Sequence, residues 1–336
     1  MNSGVLGFVV LAAAGISAAL IVAFRPLLRR YAMAAPNARS SHRIPTPQGG
    51  GIAVIAATVA VAIVAILVSS PPGYDPKSLG LVFAATAFIA LVGAIDDIRT
   101  IGVTPRLALQ AVAMALVLAA LPVELRTVPF LPWWIERALL LIAGVWFINL
   151  TNFMDGIDWM TVAEVVPVTA GLSILGLLGA LPPHGLVAAL ALGGAILGFA
   201  PFNRPVARLF LGDVGSLPIG LLLAWLLMLL AAGGHLPAPV LLPLYYVCDA
   251  TITVVLRIAN REPFWKAHRS HFYQRAFDRG LGVMEITARV FAVNVALVAL
   301  AIATVLRPER TVSWIAIAAG AGLVGWLLSS FVRGNR

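Results

Sequence analysis

The chain has 336 residues, of which 61% are apolar and only 11% are charged. Because a soluble protein carries about a quarter of its residues as charges, this composition excludes an ordinary soluble enzyme and a disordered chain. The formal net charge of +9 would suggest nucleic acid as a partner of a soluble chain, but in a membrane protein basic residues first report topology. We predict an all-α polytopic membrane protein that binds no nucleic acid.

Charge-poor stretches of about 20 residues recur along the sequence, and each can cross a bilayer core of roughly 30 Å. Eleven such stretches predict 11 transmembrane helices, with 10 as the alternative count, in one integral membrane domain covering residues 1–336. They are residues 3–24, 50–70, 78–95, 107–121, 138–152, 165–181, 186–202, 214–232, 236–257, 286–306 and 312–332. No positive charge precedes the first stretch, so we expect an uncleaved span rather than a signal peptide.

The basic residues predict the orientation. With the N-terminus outside, 18 of the 23 Lys and Arg residues lie on the inner side, and five lie outside. The positive-inside rule therefore places the N-terminus outside and the C-terminus in the cytoplasm. The expected cytoplasmic loops are residues 25–49, 96–106, 153–164, 203–213 and 258–285.

Ten of the fourteen acidic residues fall at or near the inner face, although the positive-inside rule does not require this. The first cluster is the pair Asp96 and Asp97, at the inner end of the third span. Adjacent carboxylates repel one another, and a divalent cation or arginines would offset the repulsion. A hydrated helix end explains this pair equally well when it is taken alone.

The second cluster, NLTNFMDGID, follows the fifth span. Asn149 and Asn152 lie one turn apart on a single helix face, and Asp155 and Asp158 fall in the polar turn that follows. Two amides and two carboxylates at the end of a membrane helix suit an anion bound together with its metal. An isolated Asp-Gly turn would carry no such implication.

The third cluster, LFLGDVGS, begins the eighth span with Gly212, Asp213 and Ser216. Free amides at a helix N-terminus favour a phosphate. The alternative is a simple N-cap by Asp213 or Ser216, which would be the better explanation of this cluster alone. Oxygen ligands from three helix ends, without His and Cys at zinc spacing, predict Mg²⁺ rather than zinc. Asp249, an acid inside the ninth span, is expected to pair with a neighbouring helix.

Two long inner connections are rich in basic and aromatic residues. The first contains Arg39 and His42 before a Pro-Thr-Pro and triple-glycine segment, and the second contains the sequence HRSHFYQR, residues 268–275. Arginine side chains suit phosphates, and aromatic rings can stack on a base or sit at the membrane interface. Binding of anionic lipid alone is the alternative explanation.

In chain order these motifs are PTP-Gly-Gly-Gly, Asp-Asp, N-x-x-N-x-x-D-G-x-D, G-D-x-G-S and a late basic histidine loop. This order, spread over about residues 39–279, resembles the polyprenyl-phosphate N-acetylhexosamine-1-phosphate transferase superfamily, in its O-antigen-initiating branch. The resemblance implies an Mg²⁺-dependent enzyme of the bacterial inner membrane with a cytoplasmic active site. Such an enzyme transfers a sugar-1-phosphate from a UDP-N-acetylhexosamine to undecaprenyl phosphate and releases UMP. A homodimer is a candidate assembly.

The resemblance also implies roles for individual residues. The expected catalytic residues are Asp96, Asp97, Asp155 and His271. The expected Mg²⁺ ligands are Asp213, Asp97 and Asp155. The expected substrate-binding residues are Arg39, His42, Asn149, Asn152, Asp158, His268, Arg269 and Arg275. Direct attack by the lipid phosphate is favoured over a covalent aspartyl intermediate, because a phosphate monoester is already anionic near neutral pH.

The late loop departs from the family pattern, because Tyr273 and Gln274 stand where H-x-H-H has its last two histidines. Gln48 also stands where arginine often follows PTP. The HRSHFYQR form resembles the branch that uses 6-deoxy sugars such as FucNAc or QuiNAc. GlcNAc remains an alternative, and the form argues against UDP-MurNAc-pentapeptide.

Two other classes of function compete with a transferase. One is a transporter of an anionic solute, and the other is a structural partner in envelope assembly. Transporters place ionisable residues near the bilayer midplane and often contain inverted repeats. The acids here lie at inner helix ends and no repeat is visible, which counts against transport.

Overall fold

The computed structural model describes residues 3–34, 45–70, 75–122, 124, 126–263 and 268–333. Its helices and strands, in chain order, are α1 (Ser3–Tyr31), β1 (Met33–Ala34), β2 (Thr46–Pro47), α2 (Gly50–Ser69), α3 (Pro76–Ile98), α4 (Val103–Ala120), α5 (Trp133–Met154), α6 (Met160–Leu177), α7 (Pro183–Phe199), α8 (Asp213–Ala232), α9 (Pro237–Leu241), α10 (Leu244–Ala259), α11 (Phe272–Asp278), α12 (Val283–Leu306) and α13 (Arg310–Arg333). The prediction of an all-α polytopic membrane protein is confirmed.

Every predicted span corresponds to helix in the structure. Within the described ranges nine helices are long and apolar enough to cross a membrane, namely α1–α6, α8, α12 and α13. The helix α7 has 17 residues and is also apolar. Large apolar side chains such as Phe8, Leu11 and Trp314 are exposed on the bundle surface, as contact with lipid requires.

Two segments differ from the sequence-based expectation. The ninth span is broken into α9 and α10 around Leu242 and Pro243, since proline has no N–H to continue the helical hydrogen bonds. The connection 258–285, expected to be a loop, contains the seven-residue helix α11. These two departures place α10 and α11 next to each other, and α10 packs against α11.

The helix α8 lies at the centre of the bundle, and residues 214–230 are buried without interruption. It packs against α2, α3 and α5. Glycines allow the closest of these contacts: a Cβ on Gly51 would lie 2.2 Å from Gly215 Cα, and a Cβ on Gly93 would lie 2.3 Å from the Asp213 carbonyl oxygen. The start of α8 is therefore closely packed between α2 and α3.

The described residues just before α2 reach the same place. The strand β2 pairs antiparallel with β1, with Met33 opposite Pro47. The backbone N–H groups of Gly50 and Gly51 then donate to the carbonyl oxygens of Phe210 and Leu211, both at 2.9 Å. The PTP-glycine segment thus lies directly beside the LFLGD segment that leads into α8.

Gly93→Ala is expected to destabilise the protein and lower any activity that depends on the start of α8, because the added Cβ would meet backbone rather than a flexible side chain. Thermal unfolding in detergent measures the effect. Gly80→Ala on the same helix is the matched control, because nothing lies within 4 Å of its Cβ position. Equal thermal stability of the two variants would contradict the close packing of α3 against the start of α8.

Candidate active site

Asp97 supplies the N-terminal cap of α8. Its Oδ1 accepts a hydrogen bond from the backbone N–H of Asp213 at 2.9 Å, and its Oδ2 accepts one from Val214 at 3.1 Å. A carboxylate in this place satisfies free amides and faces the positive end of the helix dipole. Gly212 precedes the helix with φ 78°, and a Cβ there would lie 2.6 Å from Asp97 Oδ2. The cap expected from Asp213 or Ser216 therefore comes from α3 instead.

The capping arrangement leaves the Asp213 side chain free to meet other elements. Asn152 Nδ2 donates to Asp213 Oδ1 at 2.7 Å and to Ser216 Oγ at 2.9 Å. Arg106 Nη1 lies 3.1 Å from Asp96 Oδ2 and 4.0 Å from Asp213 Oδ2. The three acidic motifs thus meet at one end of the bundle, around the start of α8.

Asn149 does not join this cluster. Its Nδ2 donates to Gln110 Oε1 at 2.6 Å and to the Val145 carbonyl at 2.8 Å, and the residue is 5% exposed. Although Asn149 and Asn152 are one turn apart, the first faces α4 and the second faces α8. Asn149 was predicted to bind substrate, but its side-chain hydrogen bonds go to Gln110 and Val145 rather than to the acidic motifs.

Asp155 lies in the turn after α5, where its Oδ1 accepts a hydrogen bond from Thr161. Burial raises the pKa of Asp155 to about 7; the Thr161 hydrogen bond opposes this, and the charges of Asp97 and Asp158 add to it. Burial also raises the pKa of Asp158. Asp158 Oδ2 accepts from the Ala207 N–H at 2.9 Å, which joins this turn to the segment before α8.

The late basic loop packs on the same turn. Tyr273 Oη donates to the Phe153 carbonyl at 2.9 Å, and a Cβ on Gly156 would lie 2.1 Å from that hydroxyl. The ring of His271 lies 6.0 Å from the Phe153 ring and 5.0 Å from the His268 ring, measured between centroids. The histidines are therefore brought beside the Asp155 turn.

Two arginines of the late loop, Arg269 and Arg275, differ in their surroundings. Arg269 Nη2 forms an ion pair with Asp278 Oδ1 at 2.7 Å, and Arg275 is exposed. Arg39 and His42 lie outside the described residues. The structure thus places His271 beside Phe153 and His268 beside His271, and it gives Arg269 a partner within its own loop.

The carboxylates suit Mg²⁺ by donor type and by charge. Asp97, Asp155 and Asp213 supply hard oxygens, and Arg106, the cation beside them, is paired with Asp96. However, no three His, Cys, Asp or Glu side chains of the described ranges are arranged to hold a metal ion. Both Asp97 oxygens face α8 amides and Asp155 Oδ1 faces Thr161, so Asp97, Asp155 and Asp213 as an Mg²⁺ ligand set stay a prediction.

Several site residues could not be identified from the sequence motifs. In the sequence, Arg106 counts only as one of the basic residues that predict the orientation, yet in the structure it contacts two of the acidic motifs. Asn203 accepts from the Trp159 N–H at 2.7 Å and donates to the Leu209 carbonyl at 3.0 Å. One sequence signal could have identified Arg106: it lies in the first turn of the helix that follows the Asp-Asp pair.

Beside the site, a cavity of about 360 Å³ opens where α1 meets the segment before α8. Three arginines contribute to its wall, together with residues of the PTP segment, and its lining consists of Arg25, Arg29, Met33, Pro45, Thr46, Pro47, Val206, Ala207 and Arg208. Met33 and Val206 are exposed apolar side chains. The cavity therefore combines cationic and apolar surface.

Comparison with known proteins gives a consistent result. Residues 79–231 match the model of a family described as glycosyl transferase family 4. A probable undecaprenyl-phosphate N-acetylglucosaminyl 1-phosphate transferase of Bacillus subtilis is 25% identical over 295 residues, covering 79% of this chain and 76% of that protein. A decaprenyl-phosphate N-acetylglucosaminephosphotransferase of Mycobacterium tuberculosis is 33% identical, covering 64% of this chain and 59% of that protein, less than two thirds of its length.

A phospho-N-acetylmuramoyl-pentapeptide-transferase of Symbiobacterium thermophilum is 32% identical over 291 residues, covering 74% of this chain and 81% of that relative. The region of this chain that matches the family model, residues 79–231, contains the polar motifs that meet around α8. The chain belongs to glycosyl transferase family 4, the superfamily of polyprenyl-phosphate N-acetylhexosamine-1-phosphate transferases.

Proposed function

We propose that the protein transfers a sugar-1-phosphate from a UDP-N-acetylhexosamine to undecaprenyl phosphate and releases UMP. The observation that carries this proposal is the meeting of Asp97, Asn152 and Asp213 at the half-buried start of α8, beside Arg106. Carboxylates, an amide and an arginine in this arrangement suit a phosphate group bound together with a divalent cation. The relatives named above are transferases of phospho-sugars, which favours transfer over solute transport.

We propose Mg²⁺ as the cofactor, held by Asp213 and Asp155 with Asp97 adjoining through its remaining lone pairs. When bound, the ion would neutralise the diphosphate and make its phosphorus more electrophilic. Asn152 fixes the Asp213 carboxylate through the 2.7 Å hydrogen bond to Oδ1. Oδ2, which has Arg106 at 4.0 Å, would be the Asp213 oxygen that holds the ion.

In the proposed reaction, a lipid phosphate oxygen forms a bond to the sugar-linked phosphorus of the donor. The bond from that phosphorus to the bridging oxygen breaks, and this oxygen leaves with UMP. One diphosphate replaces another, so the protein contributes positioning and charge neutralisation rather than driving force. Arg106 and His271 are the groups we assign to stabilise the negative charge that develops.

Direct attack is favoured over a covalent aspartyl intermediate by the hydrogen bonds of Asp97. Both of its oxygens accept backbone amide bonds from the start of α8, and such bonds lower the nucleophilicity of a carboxylate. The lipid phosphate needs no general base, since it is anionic near neutral pH. Asp97 therefore acts in this scheme by holding α8 and by its charge.

We propose that the lipid phosphate approaches along the arginine cavity beside β2. Arg25, Arg29 and Arg208 supply positive charge for a phosphate, and the exposed side chains of Met33 and Val206 supply apolar surface for a prenyl chain. The cavity is tied to the site because the Ala207 N–H donates to Asp158. We propose that this face of the protein lies on the cytoplasmic side of a bacterial inner membrane.

For the donor we propose a 6-deoxy sugar such as FucNAc or QuiNAc, with GlcNAc as the alternative, and a role in starting O-antigen or another envelope polysaccharide. The support is local. Tyr273 and Gln274 replace two histidines of the family pattern, and both would contact a Cβ placed on Gly156. The substituted side chains therefore lie against the turn that contains Asp155 and Asp158.

The test uses purified protein in detergent with undecaprenyl phosphate, Mg²⁺ and a panel of radiolabelled UDP-GlcNAc, UDP-GalNAc, UDP-FucNAc and UDP-QuiNAc. We expect label in the lipid fraction, equimolar UMP, and loss of both with EDTA. Asp213→Asn is expected to raise the Mg²⁺ concentration needed for half-maximal rate. Folded protein that labels no lipid with any donor would overturn the proposal, and uptake of UDP-sugar into proteoliposomes would indicate transport instead.

A further inference from the structure

Asp249 is a fully buried acid on α10 that organises the start of α11. Its Oδ1 accepts from the Phe272 N–H at 3.0 Å, and its Oδ2 accepts from the Tyr273 N–H at 3.2 Å. These are the first two amides of α11, which have no partner within the helix. Tyr245 Oη also donates to Oδ2 at 3.1 Å. The expectation that Asp249 pairs with a neighbouring helix is confirmed.

The same carboxylate faces the imidazole of His271. Asp249 Oδ1 lies 3.4 Å from His271 Nδ1, and the histidine is 3% exposed. In the part of the chain that the structure describes, this nitrogen has no hydrogen-bond partner. A carboxylate beside Nδ1 favours the tautomer with a proton on Nδ1, which leaves Nε2 as the nitrogen available to a ligand.

We propose that Asp249 is a positioning residue for His271: it fixes the start of α11 and the ring of His271 together, and so sets the histidine for the transfer reaction. This inference rests on the proposed function for its kinetic consequence. A charged side chain is costly to bury among apolar helices, and a neutral side chain can also cap a helix. The negative charge thus has a use beyond starting a helix.

The arrangement repeats the one at the start of α8. There, both oxygens of Asp97 accept from the first two amides of α8, from a different helix. Here, both oxygens of Asp249 accept from the first two amides of α11. In each case a buried aspartate on one helix fixes the start of another helix whose first residues belong to the site. Asp249 therefore acts on the reaction through His271 rather than on the substrate.

A double-mutant cycle separates positioning from simple stability. We expect Asp249→Asn to lower kcat per folded enzyme by about 10- to 100-fold, with KM for the UDP-sugar changed by less than about threefold. In a His271→Gln background, the same substitution is expected to change kcat by less than about threefold, because its partner is already lost. Glu285→Gln, the same chemical change at a partly exposed acid of α12, is the control and should leave both constants unchanged.

Hydrogen exchange tests the geometry without any substrate. Asp249→Asn is expected to raise exchange of the Phe272 and Tyr273 amides by about tenfold or more, while α8 amides keep the wild-type rate. An equal loss of kcat in both backgrounds, or unchanged exchange at these two amides, would overturn the positioning role. If the wild-type protein transfers no sugar-1-phosphate, the proposed function fails, and the exchange measurement still decides the contact between Asp249 and α11.

Discussion

Asp97→Asn is expected to lower turnover by about 10² to 10³ while the protein still inserts and folds. Asparagine can accept only one of the two amide hydrogen bonds now made to Asp213 and Val214, and its NH₂ group would face the other N–H donor. The loss of a helix cap alone costs about 1 kcal/mol, too little to unfold the protein. The displaced start of α8 and the lost charge would act on the site instead. Initial rates at saturating substrates, per folded protein, measure the effect.

The matched control is Asp75→Asn, at the other end of α3. Asp75 also caps a helix through two backbone amides, those of Lys77 and Ser78 at 3.1 and 3.0 Å. The chemical change and the capping loss are therefore comparable, but this cap lies far along the helix from the site. Comparable rate losses in the two variants would show that Asp97 matters only for helix stability.

Asp155→Asn is expected to abolish turnover and to weaken the pH dependence of Mg²⁺ binding. Burial raises the pKa of Asp155 to about 7, so its carboxyl is protonated below that pH. Since a metal ligand must be deprotonated, Mg²⁺ affinity should rise with pH and level off above about 7 in the wild type. Thermal unfolding with and without Mg²⁺, between pH 5 and 9, measures the pH dependence of Mg²⁺ affinity. No lipid phosphate is present in this measurement, so its own titration does not contribute.

The same pKa predicts the stability of the metal-free protein. An acid whose folded pKa lies above its unfolded value of 3.8 makes the unfolded chain release the proton first. Stability therefore falls as pH rises from about 4 to about 7, by this group's contribution. Asp155→Asn should flatten that part of the profile. A wild-type profile that rises steadily over this range would contradict the assignment.

Thr161→Val refines the test, because it removes the hydrogen bond that opposes the rise in the Asp155 pKa and keeps the side-chain shape. The midpoint of Mg²⁺ stabilisation should move to higher pH in this variant. An unmoved midpoint would mean that a group other than Asp155 controls metal binding.

The fold could be predicted to a large extent because hydropathy and charge report the membrane directly. All predicted spans appear as helix, with ends shifted by a few residues. The break between α9 and α10 was not predicted, since the run 236–257 is mostly apolar and its hydropathy conceals Pro243. The helix α11 was also missed, because its seven residues carry no periodic signal and its start depends on Asp249 from another helix.

The site could be predicted only motif by motif. The spacing of Asn149 and Asn152 placed both on one helix face, yet only Asn152 reaches Asp213, because α4 and α8 divide that face between them. The pairing of Asp97 with the start of α8 joins residues 116 positions apart, which no local pattern encodes. Arg106 was missed for the same reason: its contact with the acids depends on the turn between α3 and α4.

The central place of α8 has a consequence for biogenesis. Its neighbours α2, α3 and α5 precede it in the chain, so the ribosome delivers them before α8 leaves the exit tunnel. The acidic cluster can therefore assemble as soon as α8 packs against α2, α3 and α5, which are inserted in the bilayer before it. The Asp249 and α11 pair follows later in synthesis, so a nascent chain would acquire its carboxylates first and its histidine last.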